Sequence, residues 1–240
     1  MPHARRRLPA RLVAVLPAFL VGIASALPAR AAAPDWPDTY LSRVEATAVV
    51  QSLNAALLAS RSATATLEGW CAAHRMAEAP RLVARLERGV DKPATPETRK
   101  RLAVGPDEPL RYRRVRLACG DHVLSEADNW YVPARLTPEM NRVLETTDTP
   151  FGRAVSSLGT TRQTVGAEPH WQPLPEGWDQ APPPAPACGT LAVPAHLFSH
   201  RAVLFTGERQ PFSEVVETYT REVLDFARAP RPADPACPKP

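Results

Sequence analysis

Apolar residues first recur at helical spacing in the stretch that begins at Ser42. Val49, Val50, Leu53, Leu57 and Leu58 fall on one face, and Ser42 with Glu45 has the form of a capping box. Ser60-Arg61-Ser62 interrupts this helix. A second one begins at Ser62 or Thr64 and presents Leu67, Trp70, Cys71 and His74. Beyond Pro80 the pattern shortens. Residues 82–87 read as a strand with imperfect alternation, and 91–109 as a charged, Pro-rich loop with one helical turn at 97–102. The clearest period of two lies in Arg111–Cys119, where Val115, Leu117 and Cys119 point one way and Arg114 and Arg116 the other. Gly120-Asp121 turns the chain into a strand over 123–133, rich in aromatic and β-branched residues.

Thr137-Pro138-Glu139 reads as N-cap, N1 and an acidic first turn of a helix running to Leu144. Residues 149–155 open another short element. Residues 168–195 hold eight prolines and read as a long insert or exposed loop. Strand character returns over 199–206, and a turn at 207–210 leads into a closing strand over 212–223. Helices followed by mostly consecutive strands predict an α+β single domain, its sheet mostly antiparallel with helices packed on it. The expected order is 1–31 signal peptide, 32–41 linker, 42–226 folded domain with the Pro-rich insert 168–195, and 227–240 Pro-rich tail.

Charge changes this picture only at the start. The chain has 29 Lys+Arg against 25 Asp+Glu, but Arg5, Arg6, Arg7, Arg11 and Arg30 lie in the first 31 residues, which carry no acid. Removing five bases leaves 24 against 25, so the remainder is close to neutral and gives no support for a nucleic-acid partner. Those arginines precede a 16-residue apolar run, 12–27, and Ala29-Arg30-Ala31 places small residues at the −3 and −1 positions of a cleavage site. This is the secretory pattern. The run is short for a bilayer span and Pro17 interrupts it, so a periplasmic or secreted protein without a stable membrane span after cleavage is expected. Proline makes up 28 of 240 residues, about 12% against a usual 5% or so, which with only 11 glycines disfavours a long parallel-sheet enzyme with Gly-rich phosphate loops.

Four cysteines, Cys71, Cys119, Cys188 and Cys237, permit three complete pairings in an exported chain. Cys71 lies in an apolar helical segment and Cys119 in an alternating strand, where both read as buried thiols. Cys188 and Cys237 lie in Pro-rich segments with little core, where a disulfide is expected. His196 and His200 are four apart, but no third metal ligand is near them in sequence, and they read as ordinary surface histidines. Glu214 and Glu217, three apart on a strand, face opposite sides of it, so one can enter a pocket while the other stays solvated.

Four stretches taken in order resemble the chorismate pyruvate-lyase (chorismate lyase-like) family, which is related to the ligand-binding domain of GntR-type transcription regulators. Ser62-Ala63-Thr64-Ala65-Thr66-Leu67-Glu68 is similar to the family's Ser-x-Thr helix start, and Arg113-Arg114-Val115-Arg116-Leu117-Ala118-Cys119 to its Arg-bearing strand. Thr149-Pro150-Phe151-Gly152-Arg153 resembles its Thr-Pro-Leu-Gly-Arg turn, and Arg201–Phe205 with Pro211 and Glu217 its closing hairpin. The resemblance spans about 62–223. It implies a cofactor-free elimination of pyruvate from chorismate or a related aromatic acid to give 4-hydroxybenzoate, or else a non-catalytic module that binds a small aromatic carboxylate. In either case it implies that Arg114 clamps the carboxylate, that backbone N–H groups of Ala63 and Phe151 add donors, and that Glu217 meets the other end of the ring. No metal is implied. Asn129 stands where the lyases tend to carry an arginine, and a longer turn before Pro211 leaves Glu214 as the alternative to Glu217.

The secretory pattern predicts that N-terminal sequencing of the protein expressed in a bacterial host finds a chain starting near Ala32. An intact Met1 on soluble cytosolic protein would refute export.

Overall fold

A computed structural model describes residues 36–228. The expected signal segment, Cys237 and nearly all of the Pro-rich tail lie outside these residues. Two helices open the described chain, α1 (Tyr40–Ala59) and α2 (Ala63–Ala73). The six strands are β1 (Leu82–Leu86), β2 (Arg111–Cys119), β3 (His122–Tyr131), β4 (Thr161–Pro169), β5 (His196–Phe205) and β6 (Pro211–Thr220). Between them lie α3 (Pro96–Arg101), α4 (Pro138–Thr146) and α5 (Phe151–Ala154). The strands form one sheet in the order β1-β2-β3-β6-β5-β4, with every neighbouring pair antiparallel. The α+β expectation holds.

Local chemistry explains most of the boundaries. The break at Ser60-Arg61-Ser62 is real, because the Ser62 hydroxyl accepts from Ala65 N–H and so starts α2 as its N-cap. Thr137 caps α4 from the position the sequence indicates. The capping box at Ser42 does not start α1. The helix begins three residues earlier because the Thr39 hydroxyl accepts from Ser42 N–H and takes the N-cap position itself.

The strand β4 has no counterpart in the apolar pattern. It is the last strand of the sheet, mostly exposed and polar, and pairs only with β5. Alternation cannot reveal an edge strand whose side chains bury so little.

The main core fills the space between the two long helices and one sheet face. Leu53, Leu57, Leu67 and Cys71 pack there with Leu82, Leu117, Leu124, Ala202 and Tyr219. The other face carries a smaller cluster of Leu102, Trp130, Val132 and Val203, which follows α3. At the edge formed by β1, Leu82 N–H donates to the Glu68 carboxylate and Ala84 N–H to Asp148 C=O, so part of that edge is already satisfied by other elements.

The cysteines overturn one expectation. Cys71 and Cys119 are not separate thiols; they form a disulfide with a Cα–Cα distance of 6.5 Å. Both are fully buried, one on the inner face of α2 and the other at the end of β2, so the pairing of helix against sheet itself brings them together. Sequence spacing gives no hint of this, since the two are 48 residues apart. The expected Cys188–Cys237 bond involves a residue outside those described, while no described cysteine is free.

Closing a loop of 48 residues restricts the unfolded chain by about 4 kcal/mol in the chain-entropy account. A Cys71→Ala/Cys119→Ala protein should therefore lose about 2–4 kcal/mol in urea unfolding. Peptide mapping without reduction should recover the linked 71–119 pair.

Candidate functional site

Parity along β2 decides which arginine can reach a pocket. Arg113, Val115 and Leu117 are spaced by two and share the face under the helices, and all three line one cavity. Arg114 is on the opposite face. Its Nε donates to Glu87 at 2.7 Å, and its two Nη atoms to Asp128 at 3.0 Å and Glu126 at 3.2 Å. With three carboxylates around it, its pKa is raised, chiefly by the bonds to Asp128 and Glu87. Arg114, expected to clamp a ligand carboxylate, thus lies outside this cavity; the guanidinium of β2 that lines it is that of Arg113.

Arg113 is 5% exposed and has no ion-pair partner among the described residues. Nε donates to Leu144 C=O at 3.1 Å and Nη2 to Thr149 C=O at 3.0 Å. These carbonyls orient the fork but carry no compensating charge. Burial accordingly pushes its pKa down to about 10.

Three of the other expected residues do meet in this cavity. Ala63, Phe151 and Glu217 line it together with Arg61, Ser62, Thr64, Asn129, Gly152 and Arg162. Ala63 opens α2 directly after its N-cap, so its N–H belongs to the first turn, where no intrahelical carbonyl is available. Phe151 opens α5. The two helix starts meet closely: a Cβ built on Gly152 would lie 3.1 Å from Thr64 Oγ1. A glycine is what allows this approach, and the ion pair of Arg153 with Glu68 ties the same two segments together. The Ser-x-Thr start and the Thr-Pro-Phe-Gly-Arg turn, far apart in sequence, are thus two sides of one wall.

The choice between the two glutamates follows strand parity. Glu217 lines the cavity and is 6% exposed. Glu214 faces the other way, fully buried, where it accepts from Arg101, Arg201 and Thr98. Those bonds outweigh the burial that would raise its pKa and hold it below the usual carboxylate range.

Glu217 has company that the sequence did not suggest. Arg162 of β4 donates to its Oε2 at 3.0 Å, with both side chains under 10% exposed, and Tyr219 Oη donates to the same atom at 3.2 Å. Arg162 escaped notice because its strand did. On β3, Asn129 lies opposite Arg113 and uses Oδ1 to accept from Ser213 at 2.6 Å. Arg113 on β2 and Glu217 on β6 are two strands apart, roughly 10 Å between strand axes.

Directly across from Glu217 on β5 stands His200, 1% exposed, with its ring nitrogen Nε2 2.7 Å from Asn54 Oδ1 on α1. Since that oxygen only accepts, Nε2 carries the proton, and Nδ1 is buried with no partner. The sequence reading of His200 as a surface residue is corrected: α1 covers it. His196, at the start of the same strand, is exposed.

The cavity measures about 60 Å³, less than the ~150 Å³ of a dry cavity that takes up benzene, and it is partly open to solvent. Among the described residues, no helix is long and apolar enough to cross a membrane.

No protein-family model matches the chain. A curated relative, the uncharacterized protein y4mC of Sinorhizobium fredii, is 59% identical over 193 residues, covering 80% of this chain and 81% of that one. Similar solved structures include YydK, a possible transcriptional regulator of Bacillus subtilis, with 16% identity, 62% of each chain covered and a TM-score of 0.37. Another is the effector domain of PhnF from Mycobacterium smegmatis, with 12% identity, 67% of this chain and 89% of that one covered, and a TM-score of 0.42.

Burial pushes the His200 pKa down to about 4 from its ordinary 6.5, with the nearby charge of Arg162 adding to the effect. The unfolded chain then takes up this proton before the folded one. Stability is full above pH 6.5 and falls as pH drops toward 4, by about 3 kcal/mol at most. Urea unfolding between pH 7 and 4.5 should show this slope, and His200→Gln should flatten it.

Proposed function

This chain belongs to the family of the y4mC protein of Sinorhizobium fredii, and we propose that it is an exported binding protein for a small aromatic carboxylate. The observation that carries this reading is Arg113. A guanidinium held away from water without a counter-charge is costly, and an anion that enters the cavity removes most of that cost. Nη1 makes no hydrogen bond to the described protein, so it is free to donate to the ligand. First-turn N–H groups of Ala63 and Thr64 supply further donors and the positive end of an 11-residue helix. Phe151 and Val115 offer apolar contact to the ring.

Export receives support from the Cys71–Cys119 disulfide, which belongs in an oxidising compartment. It agrees with the secretory pattern of the first 31 residues, and a periplasmic or secreted location is part of the proposal.

A cofactor-free lyase is the second reading, and one observation favours it: Glu217 lines the same cavity as Arg113. Such an enzyme needs a carboxyl group that can hand a proton to the departing group. Here Glu217 is already engaged by Arg162 and Tyr219, both on Oε2, rather than presented free to a substrate. Binding without turnover is therefore the better-supported function. In the lyase reading Glu217 would have to break from Arg162 as the substrate enters.

Calorimetry with 4-hydroxybenzoate tests the proposal. Arg113→Met should weaken binding by about 2–4 kcal/mol, while Arg113→Lys, which keeps the charge but not the fork, should lose less. Wild-type protein incubated with chorismate should release no 4-hydroxybenzoate; release that Glu217→Gln abolishes would establish the lyase instead. If the folded wild type binds no aromatic carboxylate, the assignment of Arg113 is wrong.

A further inference from the structure

The cavity carries more positive charge than one carboxylate would answer. Its lining includes Arg61, Arg113 and Arg162 but a single acid, Glu217. Arg162 and Glu217 neutralise each other at 3.0 Å inside the protein. That leaves two guanidinium groups. Arg113 lies at the buried end. Arg61 is exposed in the turn between α1 and α2, and among the described residues it has neither an ion pair nor a hydrogen bond. The N-terminus of α2 follows within two residues and adds to the positive potential on this side.

We infer that the pocket selects a doubly charged anion, one anionic group buried against Arg113 and a second at the mouth against Arg61. This deepens the carboxylate-binding reading and rests on it. The small volume, about 60 Å³, supports the arrangement, because a ligand seated on buried Arg113 extends toward the exposed part of the lining, to which Arg61 belongs. Glu217 also bears on selectivity. Its charge is already balanced by Arg162, which with Tyr219 donates to Oε2, so a ligand ammonium group entering the cavity meets one paired acid and two arginines without an ion pair among the described residues. A zwitterionic amino acid is thereby disfavoured by charge, and an anion with a negative group at each end is favoured.

Three ligands of one shape and different distal charge make the test: benzoate, terephthalate and 4-(aminomethyl)benzoate. Calorimetry uses the full chain, wild type and Arg61→Gln. Wild type should bind terephthalate about fivefold more tightly than benzoate, the upper range for one exposed ion pair, and 4-(aminomethyl)benzoate least tightly. In Arg61→Gln the terephthalate-to-benzoate ratio should fall to about one. Salt should also reduce the ratio in wild type, because the rim pair is screened while the buried contact is largely protected. Benzoate and terephthalate binding equally to wild type, or a ratio unchanged by Arg61→Gln, would overturn the role of Arg61 and leave the Arg113 reading intact. Failure of all three ligands to bind would overturn the Arg113 reading itself, and this inference with it.

Discussion

The charged residues on the strands of this domain are sorted by the pleat of a single antiparallel sheet. Adjacent residues of a strand point to opposite faces; one face here packs under α1 and α2, while the other carries a smaller apolar cluster and the ion pairs of Arg114 and Glu214. Arg113 and Arg114 are neighbours in sequence and yet have opposite chemical fates. Arg114 is ringed by Glu87, Glu126 and Asp128 and is saturated. Arg113 holds only carbonyl oxygens. The same sorting separates Glu214, shared by Arg101 and Arg201 on the outer face, from Glu217 in the cavity. A slip of one residue in either strand would exchange the two members and place a saturated ion cluster in the core.

The sequence was legible wherever burial imposed a period. The alternation of β2, the turn at Gly120, the Thr137 cap and the closing hairpin all follow from local chemistry, and the structure has them near the expected positions. Parity also places Arg113 on the core face, two residues before Val115, so its entry into the cavity was legible in the alternation. The family resemblance points instead to Arg114, on the opposite face. Three features were beyond the reach of pattern. β4 is an edge strand without an apolar face, so Arg162 looked like a loop residue. Cys71 and Cys119 become partners only when α2 lies on β2. His200 is buried by a helix 146 positions away in sequence, through Asn54.

That disulfide and the pocket share their supports. Cys71 anchors α2 and Cys119 anchors the end of β2, while the other end of α2 supplies Ala63 and Thr64 to the cavity and β2 supplies Arg113. The helix start meets α5 at Gly152, where an added Cβ would crowd the Thr64 side chain at 3.1 Å. One covalent bond at the far end and one close contact at the near end thus hold α2 over the sheet. First-turn N–H groups can hold an anion only if their direction is fixed beforehand, since ordering them on binding would cost conformational entropy.

The ion pair of Arg162 with Glu217 gives the pocket its sign. A buried glutamate without a cation would oppose the charge of Arg113 across two strands and reduce its hold on any anion. With Arg162 in place the pair largely cancels locally, and in the proposed reading the charge of Arg113 is left for the ligand. In the proposed binding reading, the edge strand that the apolar pattern failed to reveal would contribute without touching the carboxylate. It supplies the cation that pairs the one acid of the cavity, and so leaves Arg113 without an acidic partner in a lining where the two could otherwise have neutralised one another.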